Sequence, residues 1–506
     1  MLSTTVRVLP YLSRLRKVTQ VRTVATSVHA KKEGTIADSF ASLSGQQFEA
    51  LEPRFARVKS KLIKGHEEEV KASWDRLLLR LRDEVETIKH VGSAVIPQID
   101  YNDIGEPPRN FSEEYRKRGC AIVKGVIEQS EVAQMKSDLR EYVRANPQTK
   151  AFPADNPQVF ELYWSRTQIR ARAHPNLLKT QQFLLSYWHS KDSNALISSR
   201  PITYCDRLRM RQPGDAKFAL GPHIDGGSCE RWEEQGYGKG EVYDKIWKGK
   251  WEEYDPWESS CRLPVNSDLY QGQGACSAFR MAQGWLSMSQ TSAFEGTLLV
   301  NPLLQLSTAY MLLRPFFTAK TPPPASEAGS KAGSISAHEY LSPDNWTLES
   351  PTSSWLQGAN LGRGQELSTL LHPHLDLAST MIHVPTVQPG DYVVWHCDGI
   401  HAVDSIHQGK ADSSVLYIPA CPLTVGNAAY LHRQRQCFLQ GTPSPDFPGG
   451  VGESSHVGVA TSEDIARVGG SRGLRAMGLE RWNVEEAETA GEQEVMRQAN
   501  EILDFV

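Results

Sequence analysis

The stretch that most constrains this chain is Leu220–Gly227, L-G-P-H-I-D-G-G, with His223-Ile224-Asp225 at its centre. Ligand-type side chains at positions i and i+2 share one face of a β-strand, because successive side chains alternate. An imidazole and a carboxylate aimed into one space can bind a divalent metal, and the flanking glycines let the backbone bend around them. One such pair recurs by chance. It gains force from a later histidine on a strand able to lie alongside, and His401 and His396 both qualify. Two histidines and one carboxylate form a facial triad with open coordination positions, the arrangement suited to non-haem Fe(II).

The competing pair His374 and Asp376 reads as structural. It follows Leu367–Leu371 in a stretch of helical pattern, and too few residues separate it from His401 to hold the strands needed between them. At the distal end the residues leave two candidates open: His396 ends the run Val393-Val394-Trp395, and His401 follows the turn Cys397–Gly399.

Composition sets the frame. The chain has 506 residues, 40% of them hydrophobic and 23% charged, a net charge of −4 and a pI near 6.4. That is globular material with no electrostatic footprint for nucleic acid, and no apolar run reaches the roughly 18 residues of a membrane span. The eight cysteines include no C-x-x-C pair, which argues against a structural zinc site and for reduced, mostly buried thiols. No G-x-G-x-x-G follows a strand pattern and no P-loop is present, so nucleotide-binding folds have no support.

Residues 1–32 contain no acid but carry Arg7, Arg14, Arg16, Lys17, Arg22, Lys31 and Lys32 among serines and threonines. This is the composition of a mitochondrial transit peptide, with a basic tail on a cytoplasmic protein as the alternative. Residues 33–100 read as a helical extension. Val70, Trp74, Leu77, Leu81, Val85 and Ile88 make an apolar stripe at spacings of three and four. The prolines of 97–110 suggest a linker. Strand patterns then dominate: 119–125, 207–211, the H-x-D stretch, a strand–turn–strand over 277–302, 392–396 and 414–419. Helices are expected over 130–145, 175–188, 303–313 and 483–504. Few helices between many strands predict a mainly β fold with flanking helices (α+β), an antiparallel jelly roll or double-stranded β-helix over 101–440. Insertions are expected at 228–262, dense in tryptophan, and at 320–360. Residues 441–506 form a C-terminal extension. The Trp-rich insert either packs its rings on the core or walls the metal site.

G-D-Y-V-V-W-H-C-D-G-I-H-A-V, residues 390–403, resembles the closing stretch of phytanoyl-CoA-hydroxylase-type 2-oxoglutarate oxygenases. Residues 283–302 are similar to that family's central hairpin and 119–125 to its opening strand. More closely, the chain resembles the YbiU-like family, a domain of unknown function within that superfamily. The matching pieces are D-R-L-R-M-R-Q-P-G, G-P-H-I-D-G-G-S-C-E-R-W, Y-D-P-W, S-A-F-R-M-A-Q-G-W, Y-M-L-L-R-P, W-H-C-D-G-I-H-A-V and V-L-Y-I-P-A. The resemblance implies His223, Asp225 and His401 as ligands of Fe(II), with 2-oxoglutarate and O2 as co-substrates. It implies hydroxylation of a small-molecule substrate with release of succinate and CO2.

One departure from that pattern matters. The superfamily carries an arginine on the strand after the distal histidine, holding the far carboxylate of 2-oxoglutarate. Here that strand begins Ser413-Ser414-Val415, and nearby Lys410 sits in a polar turn. A guanidinium matches a carboxylate bidentately, so Arg209, Arg211 and Arg280 on other expected strands are the candidates, with Ser414 adding a hydroxyl. The missing arginine keeps two alternatives in view: a non-catalytic jelly-roll metal-binding module, and a cupin-like enzyme that does not use 2-oxoglutarate. The N-terminal composition yields a first prediction. Deleting residues 1–32 should move the protein out of mitochondria, as read by fractionation, and leave the activity of the purified protein unchanged.

Overall fold

The computed structural model describes residues 39–44, 49–272, 275–323 and 335–505. The basic segment 1–32, and most of the Pro/Ala/Ser/Gly-rich stretch 320–336, lie outside these described residues. The chain from Lys31 onward forms one unit, a mixed α/β structure of sheets and many helices. Helices are more numerous than the strand-rich sequence pattern suggests.

Two sheets organise it. The larger has eight strands in the order Gln98–Asp100, Cys120–Lys124, Tyr392–His396, Ala282–Ser287, Ser413–Tyr417, Leu208–Arg211, Val159–Phe160 and Ala151–Phe152. The first pair is parallel and the rest antiparallel. The smaller has five, in the order Gln365–Glu366, His223–Ile224, His401–Val403, Leu298–Val300 and Ile382–His383, all antiparallel.

Both faces of the larger sheet are covered, and alternation sorts the side chains. Ile122, Trp285, Val393, Trp395 and Val415 face one way, into a core shared with Ile224, Leu298 and Val300 of the smaller sheet. Their neighbours Val123, Leu286, Tyr392, Val394 and Leu416 face the other way, against helices Gln129–Ala145 and Pro175–Leu185. A third cluster is built on the C-terminal helices Val425–Gln440 and Ala490–Ile502.

The stripe of the N-terminal extension lies on helix Glu67–Val91, and all six of its residues are buried. Trp74 stacks on Phe317 at 4.3 Å and on Tyr310 at 5.4 Å. The tryptophans of 228–262 are buried too. Three of the four indole N–H groups reach backbone carbonyls: Trp232 donates to Leu312, Trp251 to Ser73 and Trp257 to Arg116. The insert packs on the core, as buried indoles with satisfied N–H groups do.

Three expectations change. The linker of 97–110 contains strand Gln98–Asp100, whose backbone pairs with Cys120–Lys124, and helix Arg109–Arg118 begins just after Pro108. The two strands within 277–302 do not pair with each other. Ala282–Ser287 joins the larger sheet and Leu298–Val300 the smaller, because the intervening residues cross from one sheet to the other. Before the last helix, 462–476 is also helical, with Gly470 at φ 52° breaking its course. Among the described residues no helix is long and apolar enough to cross a membrane, and all eight cysteines are free thiols.

Because Trp74 joins the N-terminal helix to the rest, Trp74→Ala should lower unfolding free energy by about 3–5 kcal/mol, the usual cost of emptying a buried aromatic site. Urea denaturation followed by circular dichroism measures it.

Candidate metal centre

His223 and His401 meet because their strands pair antiparallel with these two residues directly opposite. Their rings lie 4.1 Å apart. Each Nδ1 is 2.7 Å (His223) or 3.1 Å (His401) from a backbone carbonyl two residues earlier, that of Gly221 or Gly399. An Nδ1–H donated there fixes the tautomer and leaves Nε2 as a free lone pair, the state in which imidazole ligates metal.

Both Nε2 atoms face Asp225. His223 Nε2 lies 3.7 Å from Oδ1 and His401 Nε2 lies 3.6 Å from Oδ2. These are too long for hydrogen bonds. They fall inside the roughly 4.4 Å that two ligand atoms can be apart when each is about 2.2 Å from one ion. Asp225 stands just past the end of its strand, followed by Gly226 at φ 80° and Gly227 at φ 88°. A Cβ on Gly227 would come within 2.5 Å of the Ser267 carbonyl oxygen, so this turn requires glycine.

Burial, reinforced by the neighbouring His401, pushes the His223 imidazole down to about 4. Burial works against ionisation of Asp225, but His401, His223 and Arg280 together outweigh it and hold the carboxyl well below its ordinary value. A neutral imidazole beside an ionised carboxylate at neutral pH is the donor set a divalent cation needs.

The other candidates are committed elsewhere. His374 Nδ1 lies 3.0 Å from the Tyr310 hydroxyl, and Asp376 pairs with Lys89 at 2.9 Å. His396, Cys397 and Asp398 also cluster. However, His396 Nε2 contacts the Pro256 carbonyl at 2.9 Å and its Nδ1 accepts the Asp398 N–H at 3.0 Å. Asp398 accepts from Arg262 at 2.6 Å and from the hydroxyls of Tyr243 and Tyr254. These bonds use both ring nitrogens and both carboxylate oxygens.

The triad opens onto a cavity of about 150 Å³ between the two sheets. Arg209, Gln283, Trp285, Trp395 and Tyr417 line it from the larger sheet, and Leu298 and Val403 from the smaller. Phe40, from the N-terminal segment, sets its ring edge-on to His223 at 4.7 Å.

The four residues expected to hold the co-substrate separate. Arg209 lines the cavity and is 3% exposed. Its Nη2 donates to the Gly296 carbonyl at 3.0 Å and to Ser413 Oγ at 3.4 Å, while its buried Nε has no partner among the described residues. Arg211 is consumed by Asp215 at 2.8 Å and by the carbonyls of Asp404, Asp215 and Ser405. Arg280 lines the cavity from the loop before strand Ala282–Ser287 rather than from a strand. Ser414 does not line it. Its hydroxyl donates to Asp412, and the cavity side of that strand presents Ser413 to Arg209. Alternation makes the difference, since neighbours on a strand face opposite ways.

Sequence reading missed Arg207, Tyr204, Asp446 and Phe447, which also line the cavity. Arg207 belongs to the same arginine-rich motif and could have been found there. Nothing in the sequence marks Tyr204 or the C-terminal pair.

The family model described as Gig2-like matches residues 49–479, and the chain belongs to that family. The uncharacterized protein YbiU of Escherichia coli K12 is 29% identical over 412 residues, 78% of this chain and 88% of its own. The crystal structure of the GlcNAc Inducible Gene 2 protein of Candida albicans superposes with a TM-score of 0.77 at 31% identity, covering 91% of this chain and 96% of that one. A hypothetical protein from Escherichia coli superposes with a TM-score of 0.69 at 28% identity, covering 84% and 96%. The YbiU likeness expected from the motifs therefore holds.

Each of His223, Asp225 and His401, changed to Ala, should abolish stoichiometric Fe(II) binding in anaerobic calorimetry, since each would supply one of only three protein bonds. His374→Ala and Asp376→Ala should bind iron as the parent does. Loss on His374→Ala with retention on His223→Ala would reverse the choice of motif.

Proposed function

We propose that this protein is an Fe(II)- and 2-oxoglutarate-dependent dioxygenase of the phytanoyl-CoA-hydroxylase type that hydroxylates a small molecule. Its two facing sheets would be the halves of a double-stranded β-helix. The observation that carries this reading is the joint presence, in one cavity, of a converging His–Asp–His set and a buried guanidinium with an unpartnered N–H. A metal site alone would not need the arginine.

Bound iron with 2-oxoglutarate and O2 supplies the oxidising power, with release of succinate and CO2; the residues of this chain do the rest. His223, Asp225 and His401 would hold the metal as a three-residue donor set, with coordination positions left for co-substrate and oxygen. Arg209 receives the far carboxylate. The strand carrying it pairs with Ser413–Tyr417 so that Arg209 lies opposite Val415. The guanidinium thus reaches the cavity from the strand next to the one that lacks an arginine. A carboxylate buried there without it would cost several kcal/mol. Charge also closes: a divalent cation and Arg209 balance Asp225 and a dianion. Trp285, Leu298, Trp395 and Val403 give the cavity apolar walls that keep water from the reacting carbon.

The test is a 2-oxoglutarate titration following oxygen-dependent succinate release, which neither a non-catalytic metal module nor a cupin-like enzyme without 2-oxoglutarate would show. Arg209→Ala should raise the apparent Michaelis constant at least about tenfold, equivalent to roughly 1.4 kcal/mol, with iron affinity unchanged. Lys410→Ala, in an exposed turn, should have little effect. An effect of Lys410→Ala alone would place the carboxylate anchor at the distal end.

A further inference from the structure

With Arg209 assigned to the co-substrate, a second cavity guanidinium has no role. Arg280 lines the same cavity as the triad, close enough to Asp225 to help hold that carboxyl ionised. No hydrogen bond or ion pair engages its side chain among the described residues. Its guanidinium carbon sits over the Tyr204 ring at 5.3 Å.

Two acids near it, Asp206 and Asp446, accept from other groups. Asp206 accepts the backbone N–H of Arg207 at 2.6 Å and its Nε at 3.4 Å. Asp446 accepts from Ser277 N at 3.0 Å, Ser277 Oγ, Tyr204 OH at 3.1 Å and Cys276 Sγ at 3.3 Å. Arg280 is also held from behind. Tyr204 stacks on Tyr430 at 5.1 Å and is tied through its hydroxyl to Asp446. A guanidinium supported on one face by a fixed ring, with all five N–H donors unused, is pre-organised for an incoming acceptor.

We infer that Arg280 anchors an anionic group, carboxylate or phosphate, of the substrate that is oxidised at the metal centre. This rests on the dioxygenase reading and narrows its substrate to small molecules bearing an oxyanion. Planar bidentate pairing with such a group is the strongest interaction open to an unpaired arginine in a largely desolvated cavity. Tyr204, Asp446 and Phe447, which line the cavity around it, would then shape the region for the part of the substrate next to its charge.

The test uses the full-length protein loaded with Fe(II) under anaerobic conditions. Sodium acetate, inorganic phosphate and 2-oxoglutarate are each titrated by calorimetry into the parent, Arg280→Gln and Arg209→Gln, acetate and phosphate also with 2-oxoglutarate already bound. With 2-oxoglutarate bound, acetate or phosphate should bind the parent and bind Arg280→Gln at least about tenfold more weakly. Affinity for 2-oxoglutarate should stay within about twofold in Arg280→Gln and fall in Arg209→Gln. Whichever of acetate and phosphate responds identifies the substrate's anion. Arg280→Lys, which keeps the charge, should recover part of the binding and guards against a folding defect in the Gln variant. Equal affinity of both anions for parent and Arg280→Gln, or no measurable binding of either, overturns the inference. So does loss of 2-oxoglutarate binding in Arg280→Gln alone, which would make Arg280 the co-substrate anchor. Failure of the dioxygenase reading looks different: the parent would bind no 2-oxoglutarate in the presence of iron.

Discussion

The site depends on one antiparallel register, the pairing that sets His401 opposite His223. A slip of one residue would turn one imidazole to the far face of the sheet. His401 is held from its other side as well, opposite Val300. Two strands therefore fix the distal histidine. The carbonyls of Gly221 and Gly399 fix which nitrogen of each ring is free. Asp225 needs no strand partner, because the glycine turn after it brings its carboxylate to both Nε2 atoms.

The treatment of buried charge separates the site from the scaffold. Arg211 and Asp398 are also buried, and each is closed by several short contacts. Buried ions kept this way hold distant segments together, since losing one partner would strand the other. Arg209 and Arg280 differ. Both face the cavity: buried Arg209 keeps an Nε without a partner among the described residues, and half-buried Arg280 makes no hydrogen bond there. Unengaged N–H groups beside a converging set of candidate metal-ligand atoms offer donors to an incoming acceptor. The contrast between Arg209 and Arg211, two positions apart on one strand, shows how local the distinction is. Asp215, Asp404 and Ser405 reach Arg211, and none of them reaches Arg209.

The packing around the site is built from parts remote in sequence. The helix bearing Trp74, the tryptophans Trp232, Trp247 and Trp251, and most of helix Leu304–Leu313 share one core with the inner faces of both sheets. Phe40 meets His223, while the carboxylate of Glu366, on the strand that pairs with His223–Ile224, accepts the Ala41 N–H at 2.8 Å. The N-terminal extension thus forms part of the wall beside the candidate metal centre.

By itself the sequence determined what depends on local pattern. Periodicity of three and four placed helix Glu67–Val91 and its buried face, and alternation with flanking glycines placed strands 120–124, 208–211 and 392–396. The H-x-D spacing put His223 and Asp225 on one site, and motif resemblance preferred His401 to His396. Tertiary structure alone decided what depends on partners far along the chain. It sent Ala282–Ser287 and Leu298–Val300 to different sheets, and gave Gln98–Asp100 a strand partner in what reads as a linker. It chose among three arginines by which acceptors lay within reach, and set Ser413 rather than Ser414 toward Arg209 through the register with Leu208–Arg211. The physical reason is one of range. A side chain's face follows from its own strand's alternation, but what that face meets follows from long-range pairing, which no local pattern encodes.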